Sequence, residues 1–173
     1  GFATISGNIW SFTYQGTALA DGVHSIGIKT TDAAGNTSAL STARLSVTVD
    51  SSASAVFTAA ITAATDSGVL GDSITKNTTP VISGTAEAGA RIQVYRDING
   101  NGIPEPNELV TVYSTGATYV TADGSGNFSF TLTTQPAGTQ HYLVVQQDKA
   151  GNFNTLIMLR VKEIATRSEE RRV

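Results

Sequence analysis

The sequence has no cysteine, so its stability has to come from a core, from repeated units or from metal rather than from disulfides. It has little charge. Asp, Glu, Lys and Arg make up 14% of it, against about 25% in an average globular chain. The formal net charge is −3, which gives no electrostatic reason to expect a nucleic-acid partner. No stretch approaches the roughly 18 apolar residues of a membrane-spanning helix, and the opening residues lack the basic start and apolar run of a signal peptide. Membrane insertion is therefore not expected. The chain starts inside a strand pattern without an initiator methionine, which reads as a segment of something longer.

Hydrophobic residues supply 40% of the chain, enough for a core, and Thr, Ser, Ala, Gly and Val dominate. That composition favours strands and turns. Five of the 11 basic residues lie in the closing RVKEIATRSEERRV. Without that tail the body is acidic, and its acids sit mostly in loops that contain Gly or Asn. Such loops suit divalent cations better than anionic partners.

The chain repeats itself. Trp10-Ser11-Phe12-Thr13 matches Phe128-Ser129-Phe130-Thr131, 118 residues on, and Asp32-Ala33-Ala34-Gly35-Asn36 matches Asp148-Lys149-Ala150-Gly151-Asn152, 116 residues on. The chain thus reads as the C-terminal part of one repeat (1–50), a complete second repeat (54–165) and a charged tail (166–173) expected to be disordered. Within the complete repeat, VFTAAITAA, PVISGTA, RIQVYRD, LVTVYST, TYVTAD, NFSFTLT, HYLVVQQ and NTLIMLRVKEI read as strands. Turns fall at AEAGA, DGSGN, QPAG and DKAGN. Seven to eight short strands at this spacing point to an all-β fold, a β-sandwich. Trp10, Phe128 and Phe130 take core positions. Residues 1–50 lack the opening strands of their own sandwich, so a partial sheet with an open edge is expected.

One loop carries a metal-ligand pattern. In DINGNGIPEPNEL, Asp97, Asn99, Asn101, Gly102 and Glu108 satisfy the EF-hand loop template D-x-[DN]-x-[DN]-G-x5-E. Calcium takes six to eight oxygens at about 2.3–2.6 Å. Asp97, Asn99 and Asn101 offer side-chain oxygens on alternate residues, and Ile103 offers its backbone carbonyl. Glu105 acts directly or through water, and Glu108 closes the site. Gly102 permits the reversal, and Glu105-Pro106-Asn107-Glu108 suits one helical turn. The flanks alternate as strands, so a full EF-hand is not expected. Two Asn ligands leave three carboxylates, which points to weak calcium affinity, about 10⁻⁴–10⁻³ M. The bland alternative is a polar hairpin loop with solvated acids.

The order of the short motifs resembles the bacterial immunoglobulin-like repeats of giant surface adhesins and biofilm-associated proteins. The motifs are Gly7-Asn8-Ile9-Trp10, Leu19-Ala20-Asp21-Gly22, Asp32 to Ser38, Val49-Asp50, Asp66-Ser67-Gly68, Gly71-Asp72, Thr79-Pro80, Ile82-Ser83-Gly84-Thr85-Ala86 and Glu87-Ala88-Gly89. The resemblance implies immunoglobulin-like β-sandwich repeats, one complete and one partial, in an extracellular rod on the bacterial cell surface. Its partners would be neighbouring repeats of the same chain, with host or biofilm components bound through other domains. Calcium is then expected at repeat junctions. Asp50, Glu87 and Asp148 are candidates for one such site, with Asp148 capping its own turn as the alternative. Asp66 and Asp72 share a loop that would bind an ion or form Asx-turns.

No catalytic constellation is present. There is no Ser-His-acid set, P-loop or dinucleotide fingerprint, and His24 and His141 fall one alignment position apart on equivalent strands. The expected role is a structural, calcium-stiffened spacer of a secreted adhesin, not an enzyme. The alternatives are a carbohydrate- or protein-binding module and an accessory domain of a secreted enzyme.

Overall fold

The computed structural model describes residues 1–7, 9–54, 57–112, 114–154 and 157–163. The charged tail 166–173 lies outside the described residues. The chain forms two compact units, Gly1–Ser51 and Ser52–Val173.

The second unit is a β-sandwich, and its strands follow the alternation of the sequence. In β8 (Arg91–Arg96) Ile92 and Val94 are buried while Arg91 is exposed. In β10 (Asn127–Thr131) Phe128 and Phe130 are buried while Ser129 is exposed. Side chains two apart share a face, so each strand gives one face to the core. A three-stranded sheet runs β10, β7 (Val81–Thr85), β5 (Ala60–Ile61). A five-stranded sheet runs β6 (Ile74–Thr75), β12 (Ile157–Glu163), β11 (Gly138–Gln147), β8, β9 (Val120–Thr121). All pairings within these sheets are antiparallel except β6 with β12. The core between them holds Ile82, Ile92, Val94, Phe128, Phe130, Leu132, Tyr142, Val144 and Val161. The strand β11 lies between two neighbours and is buried without a break from Tyr142 to Gln146, as befits a central strand.

The described residues of LVTVYST, 109–112 and 114–115, form no strand, contrary to the alternation. Leu109 bridges Tyr95 of the five-stranded sheet, and Val112 bridges Leu132, next to β10 of the other sheet. The segment therefore crosses from one sheet to the other, and Val110 and Val112 are buried at the crossing. Alternation reports which side chains point inward. It does not report a change of sheet.

Close backbone approach explains one glycine. A Cβ on Gly84 in β7 would collide with the carbonyl oxygen of Thr58. The contact is tight because Thr58 N–H donates to Thr85 O at 2.9 Å.

The register places loops at two poles. Gly138 of β11 pairs with Glu163 of β12, Tyr142 pairs with Arg96, and Thr75 pairs with Glu163. The loops 62–73, 97–108 and 132–137 therefore share the pole at which β12 ends, here the trailing pole. The turns 86–90, 122–126 and 148–152 share the opposite, leading pole.

The first unit contains β1 (Thr4–Ser6) paired with β2 (Ile9–Ser11), and β3 (Gly22–Ile26) paired with β4 (Leu45–Val49). Its register copies the closing strands of the second unit: Ile26 pairs with Leu45 as Tyr142 pairs with Leu159. No described residue of this unit is buried. Trp10, expected in a core, is 52% exposed, whereas its counterpart Phe128 is 5% exposed. The difference is cover. Phe128 lies against β7 and a tilted Phe57 ring, 6.2 Å between centroids, and no such cover is found over Trp10 among the described residues.

Candidate metal centre

The loop 97–108 leaves β8 at the trailing pole. Its first residue is pinned to the sheet, since Asp97 N–H donates to His141 O at 2.9 Å. Gly100 and Gly102 take φ of 72° and 70°. Gly102 is the glycine of the template, and its positive φ is the reversal that a side chain would resist. The expected turn is present as a 3-10 helix over Pro106–Glu108, with Pro106 at its start.

The carboxylates of the first and last ligand positions are buried. Asp97 is 7% exposed and Glu108 3%. Asp97 Oδ1 accepts from Asn101 N–H and Oδ2 from Gly102 N–H, both at 3.1 Å. The amide oxygens of Asn99 and Asn101 accept from Asn101 N–H at 2.9 Å and Ile103 N–H at 2.8 Å. Each side chain of the alternating series therefore curls back into the loop, with backbone donors fixing its oxygen. Glu108 reaches across the mouth, where Oε1 accepts Ile98 N–H at 2.9 Å.

The other oxygen of Glu108 decides the chemistry. Oε2 is buried and, among the described residues, meets no hydrogen-bond donor. A buried acceptor left unsatisfied costs about 1–3 kcal/mol, and more when charged. A backbone hydrogen bond of about 1 kcal/mol to the companion oxygen does not offset that. A hard cation would. The donor set is all oxygen, which fits calcium and not a metal that prefers sulfur or imidazole. The cage is not fully gathered. Glu105 Oε2 accepts from Asn99 Nδ2 at 2.8 Å, and among the described residues no three His, Asp or Glu side chains converge as ready ligands. Glu105 would have to leave Asn99 to bind directly, or bind through water.

The other acids divide by pole. Glu87 and Asp148 lie together at the leading pole, where Glu87 N–H donates to Gln146 Oε1 at 3.0 Å. Asp148 is a turn clamp. Its Oδ1 accepts Asn152 N–H and its Oδ2 accepts Asn152 Nδ2, both at 2.8 Å. Asp32 holds Asn36 in the same way, with the same distances, in the first unit. Asp123 with Asn127 is a third example, and there Oδ1 takes Ser125 and Asn127 N–H at 2.9 and 2.8 Å. All three close over a glycine with positive φ: Gly35, Gly126 and Gly151. Burial works to raise the Asp148 carboxyl, but donors from Asn152, Gly151 and Ala150 outweigh it and hold it below the ordinary value. The Asn36 side chain and backbone do the same for Asp32, and the Asn127 and Ser125 amides for Asp123. Asp50 follows β4 in the first unit, where Asp21 Oδ1 accepts Ser51 N–H at 3.0 Å.

Asp66 and Asp72 lie at the trailing pole. Asp72 forms an Asx-turn, with Oδ1 accepting Ile74 N–H at 2.8 Å. Asp66 is 6% exposed, and its Oδ2 accepts Gly71 N–H at 2.6 Å. Its burial has no signature in the local sequence, because it follows from the loop folding over it. His24 is engaged with the Ala20 carbonyl at 2.7 Å, not with a serine or an acid.

A family model described as the bacterial Ig-like domain matches residues 2–51 and, separately, residues 53–162. No curated protein matches the chain.

Proposed function

The chain belongs to the bacterial Ig-like domain family, a family of non-catalytic modules, and from that premise we propose that it is a spacer segment of a secreted bacterial surface adhesin, stiffened by calcium. Its work is mechanical. Tandem sandwiches joined by a short linker carry load along the chain and hold a distal binding region away from the cell, in adhesion or biofilm formation. Among the described residues no helix is long and apolar enough to cross a membrane, which is compatible with such a position.

The observation that carries the calcium part is Glu108, buried at the last ligand position of loop 97–108 with one oxygen unmatched. Calcium there would be held by Asp97, Asn99, Asn101, the Ile103 carbonyl, Glu105 and Glu108. It would tie the end of β8 to the crossing segment that follows. Extracellular fluids hold calcium at the level such a weak site needs.

Force spectroscopy on the chain tests the mechanical role. The unit 52–163 should unfold at higher force in millimolar calcium than in EGTA. Equal forces in the two buffers would remove the stiffening role.

A further inference from the structure

We propose that the trailing pole carries a second divalent-cation site, in the loop Asp66–Ser73, anchored by Asp66. The proposal stands on Asp66 and does not depend on loop 97–108. Asp66 is 6% exposed. Its Oδ2 takes the N–H of Gly71, five residues on, at 2.6 Å, so the carboxylate lies inside the loop and not on its rim. Its Oδ1 is buried and, among the described residues, meets no hydrogen-bond donor. A carboxylate so placed is cut off from water and half matched, which a protein tolerates only when something else compensates it.

The residues that flank Asp66 in sequence, Thr65 and Ser67, and Asp72 further along the loop offer hard oxygens. Ser67 Oγ accepts Lys76 N–H at 2.8 Å, and Thr65 O accepts the Thr75 hydroxyl at 2.5 Å. Each keeps a lone pair for a cation. Asp72 uses Oδ1 for Ile74 N–H at 2.8 Å, which leaves its other oxygen for the ion or its water. No histidine lies in this loop and the chain has no cysteine, so the donor chemistry selects calcium or magnesium over transition metals. With two carboxylates the affinity belongs to the weak range, about 10⁻⁴–10⁻³ M.

The two sites are distinguished by counting ions on the full chain. Calcium stoichiometry is measured by equilibrium dialysis for the native protein, Asp66→Asn, Glu108→Gln and the double variant, with folding checked by circular dichroism. Two ions on the native chain, one on each single variant and none on the double variant is the expected result. One ion that Asp66→Asn loses and Glu108→Gln keeps would support this site and sink the site in loop 97–108. An ion count unchanged by Asp66→Asn would overturn the proposal. If Asp66→Asn does not fold, the Gly71 amide resonance of folded Glu108→Gln is followed in a calcium titration. A saturable shift supports the site, and no shift up to about 10 mM, well above the weak range, overturns it.

Discussion

Glu108 Oε1 accepts the backbone N–H of Ile98 at 2.9 Å while its buried Oε2 meets no donor among the described residues. One carboxylate is thus both the clasp of its loop and a buried charge short of a partner. Replacing it with glutamine keeps the clasp and removes the charge. In EGTA, Glu108→Gln should be as stable as the native protein or more so, by up to about 1–2 kcal/mol, measured by urea unfolding. In saturating calcium the order should reverse. A variant less stable than native in both buffers would mean that the carboxylate is matched without metal.

The three Asp–Asn turn clamps give a pH dependence of known sign. Asp32, Asp123 and Asp148 have folded-state values below the ordinary one. Such groups contribute stability that is fully present above the unfolded value, about 3.9, and is lost as pH falls through the folded value. The thermal midpoint should therefore drop below about pH 4. Asn152→Ala should weaken that drop, because it removes a donor to Asp148. An unchanged acid limb in this variant would count against the clamp.

Gly84 faces the carbonyl of Thr58 with no room for a side chain. Gly84→Ala forces β7 away from the segment before β5, and overpacking of this kind costs about 1–3 kcal/mol. Chemical denaturation should show the midpoint falling. Gly100→Ala meets open space at the new Cβ and should cost about 1 kcal/mol, from its positive φ alone.

Phe130 is fully buried and Trp10 is half exposed, although both sit in the same repeated motif. Phe130→Ala should cost about 3–5 kcal/mol in the unit 52–163. Trp10→Ala should leave the unfolding of that unit unchanged, read by hydrogen exchange at β11. A comparable loss from Trp10→Ala would contradict the exposure seen in the first unit.

The contrast between these aromatics marks what the sequence made legible. Alternation in RIQVYR and NFSFT identified strands and inward faces, because a half-buried strand needs that period. The repeat identified equivalent positions, and equivalence is not burial: Trp10 is half exposed where Phe128 is covered. LVTVYST alternates as well as RIQVYR does, yet it changes sheets, a tertiary event with no local signal. Loop 97–108 was legible as a ligand template, through Gly102 and the alternating oxygens. The orphan oxygens of Glu108 and Asp66 were not, since only the folded loop decides which lone pairs lose water. Asp148 reads as a ligand or as a cap from sequence, and its contacts with Asn152 show the cap.

The most direct measurement is thermal unfolding of the native chain and of Asp97→Asn/Glu108→Gln, in EGTA and across a calcium series. Ligand that binds only the folded state stabilises by RT ln(1 + [L]/Kd), about 1.4 kcal/mol at ten times Kd. The native midpoint should rise with calcium, and the variant should rise by less, keeping only what the Asp66 loop contributes. A rise as large in the variant as in the native chain, or no rise up to about 10 mM, well above the weak range, would contradict a calcium site in loop 97–108.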